Sequence, residues 1–343
     1  MSPLTMSIII SSLATGTIIT ASSYHWLMAW VGLEINTLAI IPLISKNHHP
    51  RATEAATKYF LTQAAASALI LFSSTINAQQ NGTWDITQLT TTQSNILLSM
   101  ALAMKLGLAP AHFWLPEVLQ GSTMNTALII STWQKLAPMA LLYMTSNKLP
   151  ATMLLIMGAL SVCIGGWGGI NQTQTRKIMA FSSIAHIGWI TTISFMLNNI
   201  MVLSLVIYIT MTTTMFSTLT TSNSKTIKDT TTLPTTSPVL ATTMATTLLS
   251  LGGLPPLSGF IPKWLIMEEL VNQSLTPAAS LMAMSALLSL FFYLRLTYTT
   301  TMTLSPNPTT TPHKWRFPNQ NNPLIPATAP LSLLLLPITP MLM

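Results

Sequence analysis

Apolar windows of about twenty residues, long enough to cross a bilayer as helix, recur along the chain. They fall at 3–21, 25–45, 54–76, 94–117, 123–146, 150–171, 176–197, 199–221, 238–271, 276–299 and 323–342. Polar connectors separate them, the longest being "TSNSKTIKDTTTLPTTSP" and "TMTLSPNPTTTPHKWRFPNQNNP". The period-2 alternation that membrane barrel strands require is absent, so the pattern predicts an all-α polytopic membrane protein of about 11 spans. No segment outside the windows is long or apolar enough for a second domain, and residues 1–343 read as a single membrane domain. The window at 238–271 is too long for a plain span and contains a Pro/Gly break.

Composition agrees. Half the residues are hydrophobic and only 6% are charged, against about 25% in soluble domains. The single cysteine, Cys163, excludes an internal disulfide and a cysteine-based iron–sulfur or zinc site. A net charge of +7 would point to nucleic acid only if the basic residues clustered on a soluble face. They lie in short connectors instead, so no nucleic-acid partner is expected. The stretch "MSPLTMSIIISSLATGTII" has no Lys or Arg before its apolar run, which predicts a retained first span.

The connectors set the orientation. Lys46 and Arg51, Arg176 and Lys177, Lys225 and Lys228, and Lys314 and Arg316 follow the second, sixth, eighth and tenth windows. The odd connectors carry only Lys148. Basic connectors stay on the side of synthesis, which predicts the N-terminus inside and the C-terminus outside.

A short set of charges remains at depth: Glu34, Lys105, Lys135 and Lys263. Each costs about 2.5–3.5 kcal/mol at mid-membrane on insertion scales. Lys58, near a window end, reads as a snorkelling side chain. Lys105 and Lys135 sit roughly ten residues, or about 15 Å, from either end, beyond a lysine's reach, and must face protein. Burial disfavours an ammonium and a facing carboxylate favours it. A lysine whose carboxylate neighbour approaches or withdraws is therefore a proton site of adjustable affinity. Glu34 is the expected partner of Lys105, although such a pair could also be purely structural. His112 would share a face with Lys105 on an unbroken helix. His186 sits among Ser182, Ser183 and Thr191. Either imidazole is a candidate relay or a hydrogen-bonded packing residue.

Proline marks two breaks. Pro110 has no N–H, which frees the carbonyl of Leu106 four residues back. In lipid, a free carbonyl is tolerated only where protein or water satisfies it. "LGLAPAHFWLPEVL" and "LGGLPPLSGFIPKWLIMEEL", about 150 residues apart, share Leu-Gly, a proline, an aromatic and a second proline followed at once by a charge. The second carries Pro255 and Pro256. Paired Gly/Pro interruptions point to a transporter built from repeats, with its ion path at the breaks. The first repeat is expected at about 3–146 and the second at about 150–299, followed by a C-terminal helix at about 323–342. "CIGGWGGI" lacks the strand and βαβ unit of a nucleotide fingerprint; close helix packing is its reading. Two unmatched histidines make no haem site, and no metal site is expected.

"WVGLEINTLAIIPL", "ATKYFLTQAAAS", "MALAMKLGLAPAHFWLPEVLQG", "STWQKLAPMALL", "RKIMAFSSIAHIGW" and "LLSLGGLPPLSGFIPKW" resemble the chain 2 family of animal mitochondrial NADH–ubiquinone oxidoreductase. These are antiporter-like subunits of respiratory complex I. Heavy use of Thr, Met and Leu fits mitochondrially encoded chains. The resemblance implies inverted repeats with two discontinuous helices, truncated at the N-terminus relative to a 14-helix family pattern. It implies proton transfer through Glu34, Lys105, Lys135 and Lys263, with His112 and His186 along a hydrated axis. It places NADH, FMN, iron–sulfur clusters and ubiquinone in other subunits and leaves this chain inert alone. It also implies neighbouring antiporter-like and accessory subunits and membrane lipids as partners. The location would be the mitochondrial inner membrane, N-terminus on the matrix side and C-terminus in the intermembrane space. The same residues could serve a freestanding Na⁺(K⁺)/H⁺ antiporter, or a non-pumping scaffold whose charges lock helices.

Overall fold

The computed structural model describes residues 2–303 and 322–338. Its helices are α1 (Pro3–Ser22), α2 (Trp26–Ile44), α3 (Pro50–Asn81), α4 (Thr92–Leu106), α5 (Trp114–Gly121), α6 (Met124–Ser131), α7 (Trp133–Thr145) and α8 (Ala151–Ile170). There follow α9 (Thr175–Ile193), α10 (Asn198–Ser222), α11 (Ile227–Thr230), α12 (Leu233–Thr236), α13 (Pro238–Gly252), α14 (Phe260–Asn272), α15 (Thr276–Thr301) and α16 (Leu324–Leu334). Among the described residues there is no strand, only two isolated bridges. Lys314, Arg316 and the end of the 323–342 window lie outside the described residues.

Each apolar window holds one helix or two. Among the described residues, α1, α2, α3, α8, α10 and α15 are long and apolar enough to cross a membrane. Windows 94–117 and 238–271 each hold two helices joined by a non-helical stretch. Window 123–146, expected as one helix, is divided at Thr132. There the threonine hydroxyl donates to the Leu128 carbonyl at 2.7 Å, the back-bonding that bends helices.

The abundant Thr and Ser do not disqualify these helices from lipid, because their hydroxyls donate to carbonyls one turn back. Thr212 donates to Tyr208 at 2.8 Å, Thr214 to Met211 at 2.7 Å and Ser250 to Thr247 at 2.7 Å. Apolar side chains such as Ile8, Ile10 and Ile18 of α1 are exposed, as a lipid or protein neighbour requires.

The chain forms two compact units. The first comprises residues 1–161 with 190–198, and the second 162–189 with 199–343, each in its described part. In the first, α3 packs on α2, α4 and α5, and α7 packs on α1 and α4. In the second, α15 packs on α11, α13 and α14, and α13 on α16.

The glycines of "CIGGWGGI" serve this packing. A Cβ on Gly165 would lie 2.7 Å from the Ala185 nitrogen and 2.9 Å from the Phe181 carbonyl of α9. One on Gly166 would lie 3.0 Å from the Ser285 carbonyl of α15. The two glycines bring α8 against a different backbone on each side. Gly165→Val is expected to destabilise by about 1–3 kcal/mol, the range for overpacking, and to lower the midpoint of heat-induced aggregation in detergent. An unchanged midpoint would show that the backbones do not meet as described.

Candidate functional site

The two interrupted windows have one local design. α4 and α13 are each 15 residues long. Each ends at a left-handed glycine, Gly107 at φ +74° and Gly253 at φ +78°. The N–H of Gly107 returns to the carbonyls of Ala103 and Met104, and that of Gly253 to Leu249 and Ser250. The next residues fold back as well, with Leu108 N–H on Ala103 at 2.9 Å and Leu254 N–H on Leu249 at 3.4 Å. This is a Schellman-type stop, which glycine permits at no steric cost. α5 and α14 then resume at Trp114 and Phe260.

The stop leaves the last helical carbonyl over, Leu106 in one unit and Gly252 in the other. Pro110 and Pro256 stand four residues on, where an N–H would otherwise lie. In each unit a buried lysine takes that carbonyl. Lys135 Nζ, reaching from α7, donates to Leu106. Lys263 Nζ, on α14, donates to Gly252 at 2.7 Å. The ammonium thus sits at the negative end of a helix dipole, a favourable place for a cation. Lys135 also lies 6.0 Å from the centroid of the Trp114 ring, within cation–π range. Gly253 makes room for its lysine, since a Cβ there would stand 2.8 Å from Lys263 Cδ.

Lys105 is buried in α4, yet its Nζ has no hydrogen-bond partner in the protein. Glu34 is within electrostatic reach of it, but no direct ion pair joins them. The Glu34 carboxylate accepts from Thr37 Oγ1 at 3.0 Å and from Ser67 Oγ. It lines an open groove with Trp30, Ser67, Leu71 and Phe72 between α2 and α3. Polar groups that no motif announced complete this region. Tyr59 donates to Gln134 Oε1 at 3.4 Å, Gln134 Nε2 donates to Asn36 Oδ1 at 3.4 Å, and Gln63 Nε2 has no protein partner. Their polar character inside apolar windows was readable, but which faces meet was not.

The shared face expected for Lys105 and His112 does not form, because the helix stops at Gly107. His112 is buried on the non-helical stretch, its ring 4.2 Å from that of Phe113 and its Nδ1 without a protein partner. His186 is buried in the second unit, 3.5 Å from the Tyr293 hydroxyl and within electrostatic reach of Lys263. Pro255 precedes Pro256 in the second break. Lys58, read as a snorkelling side chain, holds its ammonium between two carboxylates. It is half-buried and pairs with Glu54 and Glu117 at 2.6 Å each, tying α5 to α3.

Apolar helices, two of these stops and a buried lysine on each describe a membrane protein with buried charges at its helix breaks. Residues 23–289 match the family described as NADH:quinone oxidoreductase/Mrp antiporter, transmembrane. Residues 290–343 match NADH dehydrogenase subunit 2 C-terminus. Over 343 residues the chain is 56% identical to NADH-ubiquinone oxidoreductase chain 2 of Varanus nebulosus, covering 100% of this chain and 99% of that one. It is 54% identical to the Xenopus laevis chain 2, covering 99% of both. The chain belongs to the NADH-ubiquinone oxidoreductase chain 2 family, as its motifs had suggested. Its fold is similar to a chain of respiratory complex I from Thermus thermophilus with bound aureothin, with TM-score 0.86 and 27% identity over 95% of this chain and 76% of that one. It is also similar in fold to a chain of the Mrp complex from Dietzia sp. DQ12-45-1b, with TM-score 0.79 and 19% identity over 88% of this chain and 61% of that one.

Replacing Lys135 with Met would remove the donor that meets the buried Leu106 carbonyl. Leaving a buried acceptor unsatisfied costs about 1–3 kcal/mol. The variant is expected to lower the thermal midpoint of the native assembly, whereas Lys148→Met, at an exposed position, is not. Equal midpoints would contradict the seat at Leu106.

Proposed function

We propose that this chain is a proton-translocating membrane-arm subunit of respiratory complex I, coupling NADH-to-ubiquinone electron transfer in other subunits to proton movement across the mitochondrial inner membrane. The observation that carries the reading is the seat found in both units: a buried lysine on the leftover carbonyl of a stopped helix. A lysine there has three donors and one backbone acceptor. It is held in place without a counter-ion, so a charge brought near it can change its hold on a proton without first breaking an ion pair. A cation approaching would favour release of the proton, and an anion its retention.

In this reading Lys135 and Lys263 carry protons, and Lys105 takes its affinity from Glu34. Lys105 Nζ, Gln63 Nε2 and His112 Nδ1, all without protein partners, are groups that water would satisfy. His112 and His186 are relay groups. The spans number about eleven, with α4/α5 and α13/α14 as the discontinuous pair within two inverted repeats. The basic connectors put the N-terminus on the matrix side and the C-terminus in the intermembrane space. Flavin, iron–sulfur and quinone chemistry belongs to other subunits. One cysteine is too few for an iron–sulfur cluster held by this chain. Exposed apolar helix faces would be covered by neighbouring subunits, accessory proteins and lipid.

Lys135→Met and Lys263→Met, introduced into the complex, test the reading. Both are expected to assemble, to migrate with NADH dehydrogenase activity on a native gel, and to lose coupled proton transfer. A positioned acid–base group typically contributes about 10²–10⁴-fold, so the loss should be at least about tenfold. Lys148→Met is the matched control. Unchanged protons per NADH in both seat variants would reduce the lysines to structural locks.

A further inference from the structure

The second unit holds a buried hydroxyl cluster that neither motif nor break accounts for. Tyr293 of α15 is 1% exposed, and its hydroxyl reaches α9. It lies between Ser182 Oγ, with which it shares a hydrogen bond, and His186 Nε2 at 3.5 Å. Ser182 and His186 are four residues apart on α9, hence on one face, and both are buried. Tyr208 of α10 walls the imidazole, ring centroids 5.7 Å apart. Lys263 acts electrostatically on the same imidazole.

Packing alone explains the ring of Tyr293 but not its hydroxyl. The neighbouring Phe292, equally buried on α15, fills space without one and lies over Gly169 of α8. A tyrosine at a buried position needs a partner for its hydroxyl, and here it has two, of which one is titratable. Such a hydroxyl can accept a proton on oxygen while giving up its own, so it passes a proton without carrying net charge before or after.

We infer that Tyr293 is a proton-transfer residue, joining His186 to Ser182 in a hydroxyl relay of the unit that carries Lys263. The inference rests on the proton-carrying reading of this unit. In the forward sense, His186 Nε2–H breaks as Tyr293 Oη–H forms. The original Tyr293 proton passes to Ser182 Oγ, and the serine releases its own to water. One proton enters at the imidazole and one leaves at the serine, with no change in either hydroxyl. The reverse sense uses the same bonds.

Tyr293→Phe removes the hydroxyl and keeps the ring. In the assembled complex, reconstituted in sealed vesicles, the protons moved per NADH oxidised are measured beside His186→Gln and Phe292→Leu. The expected result is normal assembly with a lowered proton-to-electron ratio in Tyr293→Phe and His186→Gln. Phe292→Leu, which disturbs packing only, should keep the ratio. A normal ratio in Tyr293→Phe with a lowered one in His186→Gln would overturn the relay and leave the histidine's role standing. Normal ratios in both would overturn the relay and the histidine's role together. If Tyr293→Phe fails to assemble, Ser182→Ala decides. It deletes the hydroxyl's other partner, and a normal ratio in it would overturn the relay, while a lowered ratio would support it.

Discussion

In an apolar medium each backbone carbonyl must find a donor, because no water stands ready to supply one. Where a helix stops inside such a medium, its last carbonyls become the strongest local demand. In this chain the demand is met by a side chain that is itself costly to bury. The lysine needs an acceptor and the carbonyl needs a donor, and each offsets the other's desolvation. The arrangement of Gly107, Leu106, Pro110 and Lys135, and of Gly253, Gly252, Pro256 and Lys263, follows from that mutual need.

The two units meet the demand differently. In α14 the lysine stands directly after Pro262; in α5 the residue directly after Pro116 is Glu117. Glu117 turns outward and pairs with Lys58 of α3, and the seat is filled from α7 by Lys135. The acceptor is therefore the constant feature and the donor the variable one. A backbone carbonyl accepts whichever lysine the packing brings. The paired motif thus carries a common backbone stop but not a common side-chain role, and the charge after its second proline has opposite sign and opposite exposure in the two copies.

Around these seats the chain remains apolar on the outside and modestly polar within. Hydroxyls spend their hydrogen bonds on their own helices, as Thr212, Thr214 and Ser250 do. They leave few donors to compete for the lysines or for Glu34. Some groups do reach between helices, among them Tyr59 to Gln134, Gln134 to Asn36, Ser67 to Glu34 and Tyr293 to Ser182. These four lie beside a proposed proton site, where an inter-helix bond both fixes geometry and offers a route.

Much of this was legible in the chain itself. Hydropathy marked the helices, because lipid-crossing segments must be long and apolar whatever their neighbours. The cost of burying charge singled out Glu34, Lys105, Lys135 and Lys263, and the missing proline N–H identified Leu106 as a carbonyl in need. Tertiary structure alone decided who would answer it. Lys135 is far from Leu106 in sequence, and only the packing of α7 on α4 brings them together. Packing likewise left Lys105 without an acceptor, kept Glu34 short of a direct ion pair, turned Lys58 to Glu117, and placed Tyr293 beside His186. Local stops and solvation costs are properties of a segment and its medium, so sequence determines them. Which donor meets which acceptor depends on how helix faces rotate against each other, and that is settled only when the whole core packs.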